Sequence, residues 1–581
     1  MIHRLMVLFS CFIITVSCFG VLSCFESAPD KFELQTALDL MEKKEYTKAD
    51  EILKELIPKI KDSDTKSNYH YVAATSYRKQ KQWEKAIHEY KSALQNERFI
   101  LADLARLHIA SAYRQLEDYI RAVEWYMIVA EQQPANYLSV EASFQVGECF
   151  FDAEEYEEAI NFYSRFVTVY PDEELQEATY KIAKCHHKMG NLSEAVENYL
   201  MVFQYNPRTE TSAKAVEDMQ DLGSKLIEKS EDYLNYGKAL YYNKDYKDAI
   251  THLKKAQGEN INISAEAVYY TAESYFRERD YTSAIKEYER VISQYSESGF
   301  VPGSQYQIAI CYLKKNQLTK SNKLLEQFVM DHPESSLADN ALFQIAENYR
   351  DKNNYPKAVE FYLRSARDYP DSNLADDSMW KAAWLTKEMG DIDKSVEIMN
   401  SIIQQIPYSI FAGASRFWIG VMAEKAGNWS KALDAYILSV NSKDWYYSHR
   451  AKIRIRWLAD QGKIKSPAEG INTAMIKQEE LPELEEDIRN QMSERSALLW
   501  DLKIFDDAVR ELLSLLPNAT EPKGIYYYLS VCYEKTGDYN NSWRYAWRFS
   551  NLLAEDDKKR EIPLEIYKRL YLKAYWNVIK Q

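Results

Sequence analysis

The stretch NALFQIAENYRDKNNYPKAVEFYLRSARDYP, Asn340 to Pro370, decides the fold. Its first half places Leu342, Ile345, Ala346 and Tyr349 at the three-and-four spacing of an amphipathic helix, and its second half repeats the spacing with Ala358, Tyr362, Ala366 and Tyr369. A polar segment, Asp351 to Asn354, separates the halves, and Pro370 stops the second, because proline has no N–H to offer a helix. Ala346 and Ala358 are small where two backbones must cross, and Tyr349, Tyr355 and Tyr362 fill the space around them. This is a helical hairpin.

Taking Tyr355 as an anchor, equivalent anchors occur at Tyr46, Trp83, Tyr119, Tyr156, Leu192, Tyr246, Tyr281, Leu318, Ile392 and Trp429, with a weaker pair at Phe505 and Tyr539. Most spacings are 36 or 37 residues, and two are 35 and 34. A fixed period of this length marks a tandem array. The pattern of a small residue, an aromatic, the anchor, Ala, a second aromatic and a terminal Pro resembles the tetratricopeptide repeat, slightly lengthened. That resemblance implies an all-α solenoid of tetratricopeptide-type hairpins, wound as a right-handed superhelix with a concave and a convex wall.

The period divides the chain into a first array over 32–207, an inserted helix over 208–232 (near Thr211 to Glu228), a second array over 233–442, a helical connector over 443–492 and C-terminal hairpins over 493–581. A last amphipathic helix is expected from Pro563 to Ile579, and in the connector a helix from Arg450 to Ala459. Charged residues make up 28% and hydrophobic ones 46%, with only 16 Gly and 15 Pro, which suits ordered helices rather than disorder. A net charge of −15 repels phosphate backbones, and there is no dense Lys/Arg stripe with interleaved aromatics, so nucleic acid is excluded as a partner class.

The first 24 residues differ in kind. His3 and Arg4 precede an apolar run from Leu5 to Val21, too short for the roughly 20 residues of a spanning helix, which reads as a secretory signal. Its end, Val21-Leu22-Ser23-Cys24, resembles the lipobox of bacterial lipoproteins, although Leu22 stands where a smaller residue is usual. The resemblance implies an acylated Cys24 as the lipid attachment site, holding the protein to a membrane on the periplasmic side of a bacterial envelope. Plain secretion and a retained transmembrane anchor are the alternatives, and Cys18 is a weaker cleavage site.

Cys149, Cys185, Cys311 and Cys532 each lie seven residues before an anchor, where other repeats carry Ser76, Ala112 or Ser274. Repeat phase therefore assigns them to the core as small thiols, not to a disulfide framework. Cys185-His186-His187 cannot share an ion, because consecutive helical side chains diverge by about 100°. No phosphate loop, zinc motif or nucleophile elbow is present, so no catalytic residue, metal or cofactor is assigned and the array reads as a non-enzymatic binder.

For the binding groove, the position twelve residues before each anchor is expected on the concave wall. It holds Tyr71, Phe144, Tyr180, Tyr269, Tyr306, Phe343, Trp380 and Phe417, with Leu107 the exception. Packing within the hairpin is the competing reading of each. Glu148, Lys184, Glu273 and Glu347, four residues further on, are expected to add charge to the same groove, whose natural ligand is a peptide or protein segment.

Two further resemblances bear on compartment. Ala414 to Ile455, with Arg416 to Trp418, Trp429 to Tyr436 and Tyr446-Tyr447 to Ala451, resembles the helical superhelix of soluble lytic transglycosylases, and Ile562 to Tyr567 is similar to the segment leading into their catalytic domain. The family's catalytic Glu-Ser pair and Gly-Leu-Met-Gln segment have no counterpart here. This implies, as an alternative to the scaffold, a peptidoglycan-associated body that docks glycan or a separate catalytic subunit. Tyr369 to Ser372 with Leu374-Ala375-Asp376-Asp377 resembles tetratricopeptide lipoproteins of bacterial envelopes, such as the assembly lipoprotein of the outer-membrane barrel machinery, which implies an envelope protein as partner.

Overall fold

The computed structural model describes residues 29–132, 136–171, 174–222, 226–407, 409–442, 444–464, 492–520 and 522–555. Cys24, Cys18 and the expected helix from Pro563 to Ile579 lie outside the described residues. Within them the chain is all α, and it forms 28 α-helices arranged as tetratricopeptide-type hairpins.

In chain order the helices are α1 (Pro29–Glu42), α2 (Tyr46–Leu56), α3 (Ser63–Lys79), α4 (Trp83–Ala93), α5 (Ala102–Gln115), α6 (Tyr119–Ala130), α7 (Tyr137–Asp152), α8 (Tyr156–Val169) and α9 (Leu175–Met189). Then come α10 (Leu192–Tyr205), α11 (Glu210–Leu222), α12 (Ser230–Tyr242), α13 (Tyr246–Lys255), α14 (Ile261–Arg277), α15 (Tyr281–Gln294), α16 (Val301–Lys314), α17 (Leu318–Asp331), α18 (Ala338–Asp351), α19 (Tyr355–Asp368), α20 (Ala375–Glu388), α21 (Ile392–Gln405), α22 (Ile410–Lys425), α23 (Trp429–Val440) and α24 (Trp445–Asp460). The last four are α25 (Glu494–Asp501), α26 (Phe505–Leu515), α27 (Lys523–Thr536) and α28 (Tyr539–Glu555).

Every one of the thirteen anchors is the first residue of a helix. Two residues before each, the backbone enters the left-handed region, at Lys44, Lys81, Glu117, Glu154, Gly190, Lys244, Arg279, Asn316, Asn353, Gly390, Gly427, Lys503 and Gly537. That single residue reverses the chain. The residue between it and the anchor often caps the new helix: Asp118, Asp280, Asn354, Asp391 and Asn428 each accept from the backbone N–H three residues on. At the far end, His332, Tyr369 and Ile406 precede prolines and are pushed out of the helical region, with φ of −134°, −131° and −130°.

Packing follows the same phase. Ala346 and Ala358 are fully buried, as are their counterparts Ala74 and Ala86, or Ala183 and Ala195. Where the first of these is glycine the crossing is tighter still: a Cβ on Gly147 would sit 2.6 Å from the Tyr163 ring, and one on Gly420 2.6 Å from the Tyr436 ring. Cys149, Cys185, Cys311 and Cys532 are buried and unbridged, in the positions repeat phase requires, and burial pushes the first three thiols up to about 12.

The described chain divides into two compact units. One combines the hairpins up to Gly190 with the C-terminal hairpins α25 to α28, and the other runs from Asn191 to the end of α24 and its following turn. The division falls ahead of the additional helix α11, within the pairing that repeat spacing read as the fifth hairpin. α24 begins five residues before the helix expected at Arg450, because the Asp444 side chain accepts from the Tyr447 N–H at 3.0 Å and starts the helix there.

Candidate functional site

In the first unit, the first helices of successive hairpins, α1, α3, α5 and α7, form one wall, and α26 lies against it. The contacts are specific. Lys503, in the turn before α26, pairs with Asp39 at 2.5 Å and Glu42 at 3.3 Å on α1. Asp506 pairs with Lys79 on α3. Asp507 accepts from the Tyr71 hydroxyl on α3 and from His108 Nε2 on α5, each at 2.9 Å, with the Arg78 guanidinium at 4.0 Å. Further along, Arg510 pairs with Glu141 at 3.1 Å, and Glu511 accepts from the Tyr137 hydroxyl at 2.6 Å while pairing with Arg495 at 2.7 Å. Leu499, Leu502, Ile504, Ala508 and Leu512 complete the contact by joining the hydrophobic core of the N-terminal hairpins.

Asp507 is 1% exposed and His108 is 4% exposed, so their charge states are set by one another and by Arg78. Burial opposes a charge on Asp507, but His108, Arg78 and Tyr71 outweigh it and hold the carboxyl well below the ordinary carboxylate range. Burial, and then Arg78, push His108 below the usual histidine value, so a neutral imidazole donates its Nε2–H to the carboxylate. Tyr90 stacks on His108 at 5.4 Å and accepts from Arg78 Nε at 3.2 Å, which fixes both partners. A histidine beside an aspartate invites an acid–base reading. Here both groups are buried, and the cluster joins two parts of the chain.

The residues expected on the groove wall fall into two sets. Tyr71 is fully buried beneath α26, and Phe144, Tyr180 and Phe417 are also buried, Phe144 against Tyr163 and Phe166 of its own hairpin and Phe417 against Tyr436. Tyr269, Tyr306, Phe343 and Trp380, all in the second unit, are half-buried. Tyr269 stacks on Phe300 at 4.9 Å and Trp380 on Phe411 at 5.0 Å, and Trp384 and Trp418 extend the Trp380 cluster edge to face. Of the expected groove charges, Glu148 and Glu347 accept from the tyrosines of their own hairpins, Tyr163 and Tyr362, and Glu273 accepts from Tyr288. Lys184 lies over the Tyr180 ring at 5.8 Å.

Sequence reading did not find Asp506, Asp507, Glu511, Lys79 or His108. The signal available was an acid pair directly after the Phe505 anchor, at a position where carboxylates also serve simply as a helix start. Among the described residues no group of His, Cys, Asp and Glu is placed to hold a metal ion, and no helix is long and apolar enough to cross a membrane.

The helices pair as tetratricopeptide-type hairpins, and comparison with known families agrees. Tetratricopeptide-repeat models match residues 71–137 and 141–173, and the YfiO model, described as an outer membrane lipoprotein, matches residues 261–417. No curated protein matches the sequence. Among solved structures, the Cut9–Hcn1 assembly of the APC/C is 13% identical, covering 96% of this chain and 98% of that one with a TM-score of 0.24. Yeast Tom70 is 12% identical over 76% of this chain and 98% of its own, with a TM-score of 0.27. The C-terminal part of a TPR repeat-containing protein from Cytophaga hutchinsonii is 15% identical over 47% of this chain and 98% of its own, with a TM-score of 0.29.

Proposed function

We propose that this chain is a non-catalytic scaffold of the bacterial cell envelope, tethered through Cys24 on the periplasmic side, that holds a segment of another envelope protein along the first helices of its second unit. The observation that carries the reading is the contrast at one repeat position. Tyr71 is closed off by Tyr90, Phe99 and His108 and by its hydrogen bond to Asp507 of α26, whereas Tyr269, Tyr306, Phe343 and Trp380 are left half-buried and able to bury further area against a partner. The similarity of residues 261–417 to outer membrane lipoproteins, and the lipobox-like Val21-Leu22-Ser23-Cys24, support the compartment.

A photo-crosslinking residue in place of Trp380, in cells, tests the reading: it should capture a discrete envelope protein, and Tyr306→Ala should reduce capture while helicity is unchanged. Crosslinks only to neighbouring parts of this chain would count against it. Cys24→Ala should release the protein from the membrane fraction, since two or more acyl chains are needed for stable anchoring. Incubation with cell-wall sacculi should release no anhydro-sugar muropeptides.

A further inference from the structure

Second helices of the array lean on the first helix of the next hairpin through two recurring positions. Four residues past the anchor, Asp50 on α2 accepts from Ser76 on α3 at 2.6 Å, and Asn322 on α17 accepts from Asn348 on α18 at 2.7 Å. Eight past it, Lys91 on α4 donates to the Tyr113 hydroxyl on α5 at 2.8 Å, and Lys254 on α13 donates to the Tyr275 hydroxyl on α14 at 2.9 Å. In the twelve hairpins before the last, the residue four past the anchor is buried or half-buried. In the last hairpin the two positions hold Trp543 and Trp547 on α28, which stack at 6.5 Å and are 41% and 49% exposed. Aromatic area is thus left open at the place where each earlier second helix is covered by the next helix in the chain.

We infer that residues 563–579, which lie outside the described residues, form a further first helix that packs across Trp543 and Trp547 and continues the array past α28. Chain length and repeat phase name this occupant. Seven residues, 556–562, separate the end of α28 from Pro563, against six between α17 and α18 and eight between α4 and α5. The segment's 17 residues match the first helices, which span 14 in α18 and 17 in α14, and proline suits a first helical position. Within it Tyr567, Leu570, Tyr571, Ala574 and Val578 recur at spacings of three and four as one apolar stripe, and Arg569 and Lys573 fall on the opposite arc. Setting Leu570 against Trp543 joins residues 27 apart, where the pairs Asp50 with Ser76 and Asn322 with Asn348 are 26 apart. The same register brings Tyr571 to Trp547 as Tyr275 comes to Lys254, so that aromatic meets aromatic.

Oxidative trapping in the full chain tests the register. Trp543→Cys/Leu570→Cys should close an intrachain disulfide, identified by mass spectrometry of the linked peptides, whereas Trp543→Cys/Arg569→Cys, whose second Cβ points away, should stay reduced. Hydroxyl-radical footprinting tests the cover independently of any cysteine: Leu570→Asp/Tyr571→Asp should raise the modification of Trp543 and Trp547 several-fold, with the circular dichroism of the array retained. Absence of the disulfide, equal trapping of the two pairs, or indoles modified equally in the parent and the Asp variant would overturn the inference. So would a disulfide that joins two chains, which would give the face to a second copy. Indole protection that appears only when phosphatidylglycerol vesicles are added would overturn it as well, in favour of a membrane surface.

Discussion

Tyr71 and Asp507, 436 residues apart in the chain, are joined by a hydrogen bond of 2.9 Å in which both side chains are buried. Through it the C-terminal hairpins complete the core of the N-terminal ones. In a solenoid each hairpin ordinarily needs only its sequence neighbours. The first unit departs from that rule, because part of the wall on α3, α5 and α7 is made of polar groups that are satisfied only by α26.

Removing the carboxylate should therefore be costly well away from α26. Asp507→Ala leaves Arg78 and the Tyr71 hydroxyl buried without their partner, a loss of about 3–5 kcal/mol by the usual behaviour of broken buried pairs. Hydrogen exchange should show lost protection on α3 and α5 as well as α26, with the second unit unchanged. Protection lost on α26 alone would mean that the N-terminal hairpins stand without it.

The same cluster gives the first unit a pH dependence whose sign is fixed. The His108 value is depressed on folding, so between that value and the unfolded one, about 6.5, the unfolded chain binds more protons and stability rises with pH. Asp507 is depressed as well, so its contribution is present above about 3.9 and is lost only as pH falls through its folded value. Tyr71, Arg78, Tyr90, Asp507 and Arg510 all act on this histidine, and the net direction is toward neutrality. Thermal stability of the first unit should thus fall as pH drops below about 6.5, and His108→Gln, which keeps a donor but does not titrate, should flatten that part of the profile.

The hairpin register was legible because it is written in short-range chemistry. An aromatic or aliphatic anchor, Ala three residues on, an Asp or Asn cap just before and a proline after the second helix each act within a few residues. The docking of α26 was not legible, because no local rule connects Asp507 with His108 across 399 residues, and Asp506-Asp507 looks like any acidic helix start. The groove aromatics were legible as a set but not in their exposure. Burial of Phe144 depends on Tyr163 and Phe166, and Tyr71 packs against Tyr90, Phe99 and His108 while its hydroxyl is satisfied by a helix from the far end of the chain.

The turns offer a direct test of backbone strain. Lys81 sits at φ 59° with an exposed side chain, so its cost is conformational. Lys81→Val should destabilise the hairpin by about 1–2 kcal/mol, since a branched Cβ crowds the left-handed region, and Lys81→Gly should be neutral or slightly stabilising. Denaturant midpoints of the two variants, measured on the full chain, would separate this from a surface effect. If Val and Gly behaved alike, the turn would not be enforcing that backbone.

A close helix crossing at Gly420 gives the last expectation. A Cβ on Gly420 would lie 2.6 Å from the ring of Tyr436, which is fully buried and donates its hydroxyl to Glu424 at 2.7 Å. Retreat of the ring is opposed by that bond, because Glu424 is also held by Arg454, and by Phe417, which packs against the ring. Gly420→Ala should cost about 1–3 kcal/mol, the usual range for overpacking. Gly420→Ala combined with Tyr436→Leu should recover part of the loss, because the smaller side chain opens the space while giving up the hydrogen bond. Unfolding of the single and double variants would show this as non-additivity, and strict additivity would mean that the two positions do not touch.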